Sequence, residues 1–210
     1  FRGHGNLSRM NRSNENKEMV ADGISDAECV RRVQRGETDA FETLIRRHEK
    51  TIFNLVYRML GDTEEAAEVS QEVFLSAFRA AGQFRGDANF STWLYRIAIN
   101  HASTRRKTLN SRQRKVVPIE SADSLHDPEP GPLEILEQQE IREKVQFALN
   151  QLEPEDAAVI LLRDLQDVPY NEVAHVLEIP VGTVKSRLHR ARQALKSRLQ
   201  SYFCAERKAV

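Results

Sequence analysis

Residues 169–199 read PYNEVAHVLEIPVGTVKSRLHRARQALKSRL, and the two short helical patterns in this stretch, with a tight joint between them, decide how the rest of the chain is read. Val173, Ala174 and Leu177 mark the buried side of the first pattern. Glu178-Ile179-Pro180 then breaks it, because proline cannot continue a helix but can begin one. Val184, Leu188, Ala191, Leu195 and Leu199 follow at steps of three or four and make one apolar stripe. At about 100° per residue, Lys185, Ser186, His189 and Arg190 project from the opposite side. From Thr183 to Leu199 the segment carries six Lys/Arg and no acid, so it is not laced with i,i+4 ion pairs. A basic second helix held at an angle by a short turn fits a major groove. The small Ser186 and Gly182 beside it let a backbone approach phosphates closely. These residues predict a helix-turn-helix that binds duplex DNA.

Outward from this motif the chain is helical throughout. Ser25-Asp26-Ala27-Glu28 has the capping-box form and opens a short helix that stops at Gly36. Phe41, Leu44, Ile45, His48, Ile52, Leu55, Val56 and Met59 fall at helical spacing up to Gly61. Asp62-Thr63-Glu64-Glu65 opens a third helix through Val69, Val73, Phe74, Ala77 and Phe78. A fourth, capped at Ser91, follows a polar loop. Pro128, Pro130, Gly131 and Pro132 interrupt any period before helices resume at Leu133 and again from Pro154. No β-alternation persists. The expectation is an all-α chain: a disordered leader over 1–24, a helical domain over 25–107, a flexible acidic linker over 108–133, a second helical domain over 134–203 and a tail over 204–210.

The charge balance of 31 basic against 31 acidic residues hides segregation. Arg105, Arg106, Lys107, Arg112, Arg114 and Lys115 form one basic block and the last helix another. Glu120 to Glu143 carries eight acids against the single base Arg142. Such blocks suit a polyanion site beside segments that meet cationic protein surfaces. Cys29 and Cys204 lie far apart, without metal-ligand or redox spacing, which excludes a disulfide framework and fits a reducing cytoplasm. No apolar run approaches the ~18 residues of a membrane span. There is no GxSxG, P-loop, HExxH or GxGxxG after a strand, so no catalytic residue, metal, cofactor or small-molecule substrate is expected.

The loop and fourth helix, FRGDANFSTWLYRIAINHASTRRK, mix aromatics with charge. Trp93, Arg96, Ile97 and Asn100 share one helix face, while Leu94, Ala98 and Ile99 turn elsewhere. A ring beside Arg and Asn is what an unstacked base needs: a stacking platform, worth about 1–3 kcal/mol per base, with donors for its edge and for phosphates.

The segments GDTEEAAEVSQEVFLSAFRA, FRGDANFSTWLYRIAINHA and GTVKSRLHRARQAL together resemble regions 2 and 4 of bacterial extracytoplasmic-function (ECF) sigma factors. The resemblance covers about residues 25–107 and 134–200. It implies two small helical domains that bind core RNA polymerase, at the β′ clamp helices and the β flap, and bring it to promoter DNA. On its terms Asp62, Glu65, Glu68, Gln71 and Glu72 form the clamp-binding surface. Phe84, Arg85, Asp87, Asn89 and Phe90 belong to the loop that captures a flipped −10 base. Trp93, Tyr95, Arg96 and Asn100 match the melting and nontemplate-strand positions, with Arg105 and Arg106 near the duplex backbone. Thr183, Lys185, Ser186, His189 and Arg190 match the −35 groove positions, and Arg187 and Arg192 the flanking phosphate contacts. An anti-sigma factor holding the chain, in the cytoplasm or at the inner membrane, is a further implication. The family often places Ser where this chain has Pro169, which leaves Asp167 as the expected cap of the first helix of the turn motif. A stand-alone helix-turn-helix regulator is the alternative reading, and the aromatic block Phe84–Asn100 argues against it.

Overall fold

The computed structural model describes residues 23–113 and 132–206, and side chains within 23–111 and 140–200. The expected leader, most of the linker and the last residues of the tail fall outside the described residues. Eight α-helices account for the rest, and no strand occurs among the described residues. They are α1 (Asp26–Gln34), α2 (Asp39–Leu60), α3 (Thr63–Ala80), α4 (Phe90–Gln113), α5 (Pro132–Asn150), α6 (Pro154–Ile160), α7 (Tyr170–Leu177) and α8 (Val181–Glu206).

The helix ends follow local chemistry. The Ser25 hydroxyl accepts from the Glu28 amide at 3.3 Å, and the Asp62 carboxylate from the Glu65 amide at 2.9 Å. Gly61 takes the left-handed turn (φ 78°) that closes α2. Pro154 sits in the first turn of α6, where its missing N–H costs nothing. Two starts differ from expectation. Helix α4 begins at Phe90, two residues before a cap at Ser91 would start it, with the Trp93 amide bonded to the Asn89 carbonyl. Helix α7 has no side-chain cap: Asp167 is itself left-handed (φ 51°) and its carboxylate pairs with Arg163. The turn between α6 and α7 is a wide π-helical one over Leu161–Leu165.

In the N-terminal half, Leu44, Ile52, Leu55, Val56 and Met59 of α2 pack with Val69, Val73 and Ala77 of α3 and with Leu94, Ala98 and Ala102 of α4, all fully buried. In the C-terminal half, Ala157, Val159 and Leu162 pack with Val173, Val176, Val184, Leu188 and Ala191. Burying a Leu or Val side chain contributes about 1.5–3 kcal/mol, so each stripe anchors its helix. The buried residues of the two halves form one continuous cluster. The domains are therefore docked on each other, rather than only tethered.

Docking uses helix termini as well as apolar surface. Arg106, only 4% exposed, donates from Nη2 to the carbonyls of Leu149 (3.3 Å), Asn150 (2.6 Å) and Leu152 (2.6 Å), which satisfies the C-terminal end of α5. Gln146 of α5 does the converse: its Nε2 donates to Arg58 O at 3.1 Å at the end of α2, while Arg58 donates to its Oε1 at 3.2 Å. Each domain thus caps a helix of the other.

Candidate nucleic-acid interface

The helix-turn-helix is formed by α7 and α8. Its turn passes through Glu178 in the left-handed conformation (φ 55°), and Pro180 precedes the first turn of α8. Because Val184, Leu188 and Ala191 are buried, the opposite face is held outward, and Lys185, Ser186, His189 and Arg190 are all exposed along it. Thr183 lies half-buried at the start of that face, and its carbonyl accepts from Ser186 Oγ at 3.1 Å. Of the two expected phosphate contacts, Arg192 is held within the domain, whereas Arg187 lies near a carboxylate with its buried Nε unbonded. Arg192 forms a two-pronged pair with Asp164 at 2.5 and 2.9 Å, which raises its pKa, and Arg187 Nε lies 3.8 Å from Asp156.

The second surface gathers on α4 and the loop before it. Phe84, Phe90 and Trp93 form one aromatic cluster, with ring centroids 5.3–6.1 Å apart in edge and tilted contacts. Arg85, Asp87 and Asn89 are exposed between them, with Gly86 supplying a left-handed turn (φ 75°). On α4 the split read from the sequence holds: Leu94, Ala98 and Ile99 face inward, whereas Trp93, Arg96 and Ile97 are half-buried and Asn100 is exposed. Phe90 and Tyr95 are in the core, at 3% and 9% exposure. In this arrangement neither ring offers a free face to a base.

Part of this surface faces the C-terminal domain. Thr92 donates to Glu172 at 2.5 Å, Tyr95 to Gln166 at 3.2 Å, and Arg96 pairs with Glu178. Burial, with the Glu172 charge second, pushes the Tyr95 hydroxyl above its ordinary pKa, so it stays protonated and able to donate. Arg106, expected beside duplex DNA, is inside the domain junction, where burial lowers its pKa. Carboxylates and carbonyls of one domain thus occupy cations of the other.

The glutamates of α3 form an acidic patch that also takes in a cation from α4. Glu65, Glu68 and Glu72 recur at steps of three and four, and all three hold the guanidinium of Arg105 from α4, Glu68 at 2.7 Å and Glu72 at 2.8 Å. The hydrogen bonds that Arg105 donates to Glu68 and Glu65 push its pKa up, and Arg105 holds the Glu68 carboxyl below its usual range. Arg105 therefore lies on the acidic face of its own domain. Asp62 is exposed at its N-cap and Gln71 is exposed alongside. Leu75 and Phe78 add exposed apolar surface one turn further on, at 55% and 40% exposure.

Sequence reasoning did not find Thr92, Gln146, Gln166, Glu172 or Glu178 as partners of these residues. Only the left-handed Glu178, in place of the glycine favoured there, marks one of them. Among the described residues no group of three or more His, Cys, Asp or Glu could hold a metal ion, and no helix is long and apolar enough to cross a membrane.

Comparison with known proteins matches both surfaces to one family. Residues 44–112 match the model of sigma-70 region 2, and residues 142–195 that of sigma-70 region 4. The chain is 41% identical over 186 residues to the RNA polymerase sigma-H factor of Pseudomonas aeruginosa, covering 83% of this chain and 94% of that one. It is 35% identical over 192 residues to the ECF RNA polymerase sigma-E factor of Escherichia coli, covering 86% and 97%. Among solved structures, CnrH in complex with the cytosolic domain of CnrY superposes with a TM-score of 0.61 at 22% identity, covering 82% of this chain and 96% of that one. At that identity the likeness shows the fold.

Proposed function

Because this chain belongs to the ECF sigma factors of the sigma-70 family, we propose that its two domains read a two-element promoter on behalf of core RNA polymerase. The C-terminal domain would bind −35 duplex through Lys185, Ser186, His189 and Arg190, with Thr183 at the start of the face. The observation that carries this part is the exposed face of α8 with Lys185, His189 and Arg190, opposite the buried Val184, Leu188 and Ala191. A good bidentate base contact there contributes about 1–3 kcal/mol of discrimination.

The N-terminal domain would hold unstacked nontemplate bases at the 84–90 loop and along Trp93, Arg96 and Asn100. Stacking energy of about 1–3 kcal/mol per base offsets the few kcal/mol of unpairing. Asp62, Glu65, Glu68, Gln71 and Glu72, with the neighbouring apolar Leu75 and Phe78, would form the surface offered to the β′ clamp helices, and the second domain would meet the β flap. Catalysis belongs to the polymerase. The docked arrangement is the resting form of the free chain, because Tyr95, Arg96 and Arg106 cannot serve DNA and the C-terminal domain at once. Cytoplasmic residence, with an anti-sigma factor stabilising the docked form, is consistent with solved neighbours such as CnrH, described in complex with CnrY.

Run-off transcription with purified core enzyme and a promoter library tests this reading. The expected result is stable core binding and initiation at a defined two-element promoter. Arg190→Ala is expected to weaken −35-dependent initiation about tenfold, the scale of one lost base contact, while core binding stays unchanged. Tight, specific duplex binding by the chain alone, with no core binding, would establish the stand-alone regulator instead.

A further inference from the structure

Helix α1 precedes the matched residues 44–112 and has no part in the reading above. It nonetheless bonds directly to the start of the 84–90 loop and reaches the far end through His48 of α2. At its C-terminal end the Gln34 amide donates to Ala81 O and to Phe84 O, both at 2.9 Å, and fixes the chain entering the loop. At its start Asp26, 4% exposed, accepts from Arg47 at 2.8 Å and lies 2.5 Å from His48 Nε2. The other side of the His48 ring packs on Phe90, with centroids 5.4 Å apart, where the chain leaves the loop. Phe90 in turn touches Phe84 and Trp93. The span between these anchors carries Arg85, Gly86, Asp87 and Asn89 outward.

Gln34 is the informative member. It is exposed, so it adds nothing to the core, yet its amide gives two hydrogen bonds to backbone 47 and 50 residues away. Ala81 O also accepts from the Phe84 amide at 3.2 Å, which closes the short 3-10 turn, so the Gln34 amide braces that turn and holds the Phe84 carbonyl just beyond it. A loop that must present side chains to a single base works only if its backbone is held in place, since misplacement of about an ångström degrades a binding constellation.

We propose that Gln34 is a positioning residue for the −10 strand: with the Asp26–His48–Phe90 contact as second anchor, it sets the loop in the geometry that accepts an unstacked base. The proposal rests on the reading of the 84–90 loop as the base-capturing segment.

The test uses holoenzyme reconstituted from the full chain. The probe is a fluorescent single-stranded nontemplate oligonucleotide spanning the −10 region of a promoter on which the holoenzyme initiates. Gln34→Ala is expected to weaken oligonucleotide binding about tenfold, the scale of losing one or two hydrogen bonds, with core affinity and thermal stability unchanged. Gln34→Lys, which keeps a donor, is expected to restore most of the affinity, and Gln34→Glu, which presents only acceptors to the carbonyls, is not. Wild-type affinity in Gln34→Ala, or equal loss of core and oligonucleotide binding, overturns the positioning role. Phe84→Ala and Asn89→Ala serve as controls for the underlying reading. If both bind as wild type, base capture lies elsewhere and the proposal falls with it.

Discussion

Arg96 and Glu178 form an ion pair across the junction of the two domains, although 82 residues of chain separate them. Arg96 lies on the face of α4 that holds Trp93 and Asn100, and Glu178 is the left-handed residue in the turn of the DNA-binding motif. One contact therefore couples the aromatic face of α4 to the helix-turn-helix. The pair is partly exposed, at 37% and 66% of the two side chains, and exposed pairs contribute only about 0.2–1 kcal/mol.

Glu178→Gln is accordingly expected to raise the undocked fraction of the free chain by only about two- to fivefold, and Glu178→Lys by more, through like-charge repulsion. Small-angle scattering at low and high salt reads this out. Salt should mimic the substitution in wild type and add little in the variants. A scattering profile that neither variant changes would mean the pair has no part in docking.

Arg106 gives a sharper distinction. As a buried donor to Leu149, Asn150 and Leu152 carbonyls, its loss in Arg106→Ala leaves orphaned acceptors, at about 1–3 kcal/mol. For a chain of this size that lowers Tm by about 2–4 °C per kcal/mol. If Arg106 instead acts on phosphates, the variant keeps its Tm, while the salt slope of promoter binding falls by about one. Calorimetry and a salt titration on the same variant decide.

Gly61 tests the close approach of α5. A Cβ there would come within 2.0 Å of Asn150 Nδ2, in a backbone with φ of 78°. Gly61→Ala therefore combines left-handed strain of about 1–2 kcal/mol with displacement of Asn150, whose Oδ1 accepts from Gln146 at 3.0 Å. Gly61→Asn relieves the strain and keeps the clash. Equal Tm values for the two variants would show that displacement dominates. Recovery in Gly61→Asn would assign the loss to the backbone.

Asp26 predicts the acid response. Burial pushes its pKa up, but hydrogen bonds from His48 and Arg47 outweigh this and leave it below the ordinary carboxylate value. The native state thus binds a proton at Asp26 less readily than the unfolded chain, so its contribution is present at neutral pH. It is lost as pH falls below about 4 and on through the depressed native value. Asp26→Asn removes one member of the buried cluster and is expected to cost about 3–5 kcal/mol at pH 7. It should also flatten the acid limb of a stability–pH curve, and an unchanged limb would place the acid response elsewhere.

The individual helices were legible because each is decided within a few residues. The stripes on α2 and α8, the capping Ser25 and Asp62, and Gly61 are local signals, and the structure keeps them. The inward turn of Leu94, Ala98 and Ile99 on α4 was equally readable from spacing. The docking was not, because its partners lie far apart in sequence: 71 residues from Tyr95 to Gln166 and 88 from Arg58 to Gln146. They are also polar residues that would serve equally well as solvated surface. Arg105 shows the same limit, since its place in a basic block pointed to DNA while its position on α4 sets it against the glutamates of α3.

The separation between Arg96 and Glu178 also has a consequence for synthesis. The ribosome adds roughly 5–20 residues per second, so the 82 residues between them take roughly 4–16 s to appear. Within that interval Ala98, Ile99 and Ala102 complete the core of the N-terminal domain, while Glu178 does not yet exist. A nascent chain therefore passes through a period in which this face of α4 lacks its C-terminal partners. A protein that meets the chain on the ribosome encounters Thr92, Tyr95 and Arg96 before Glu172, Gln166 and Glu178 can occupy them.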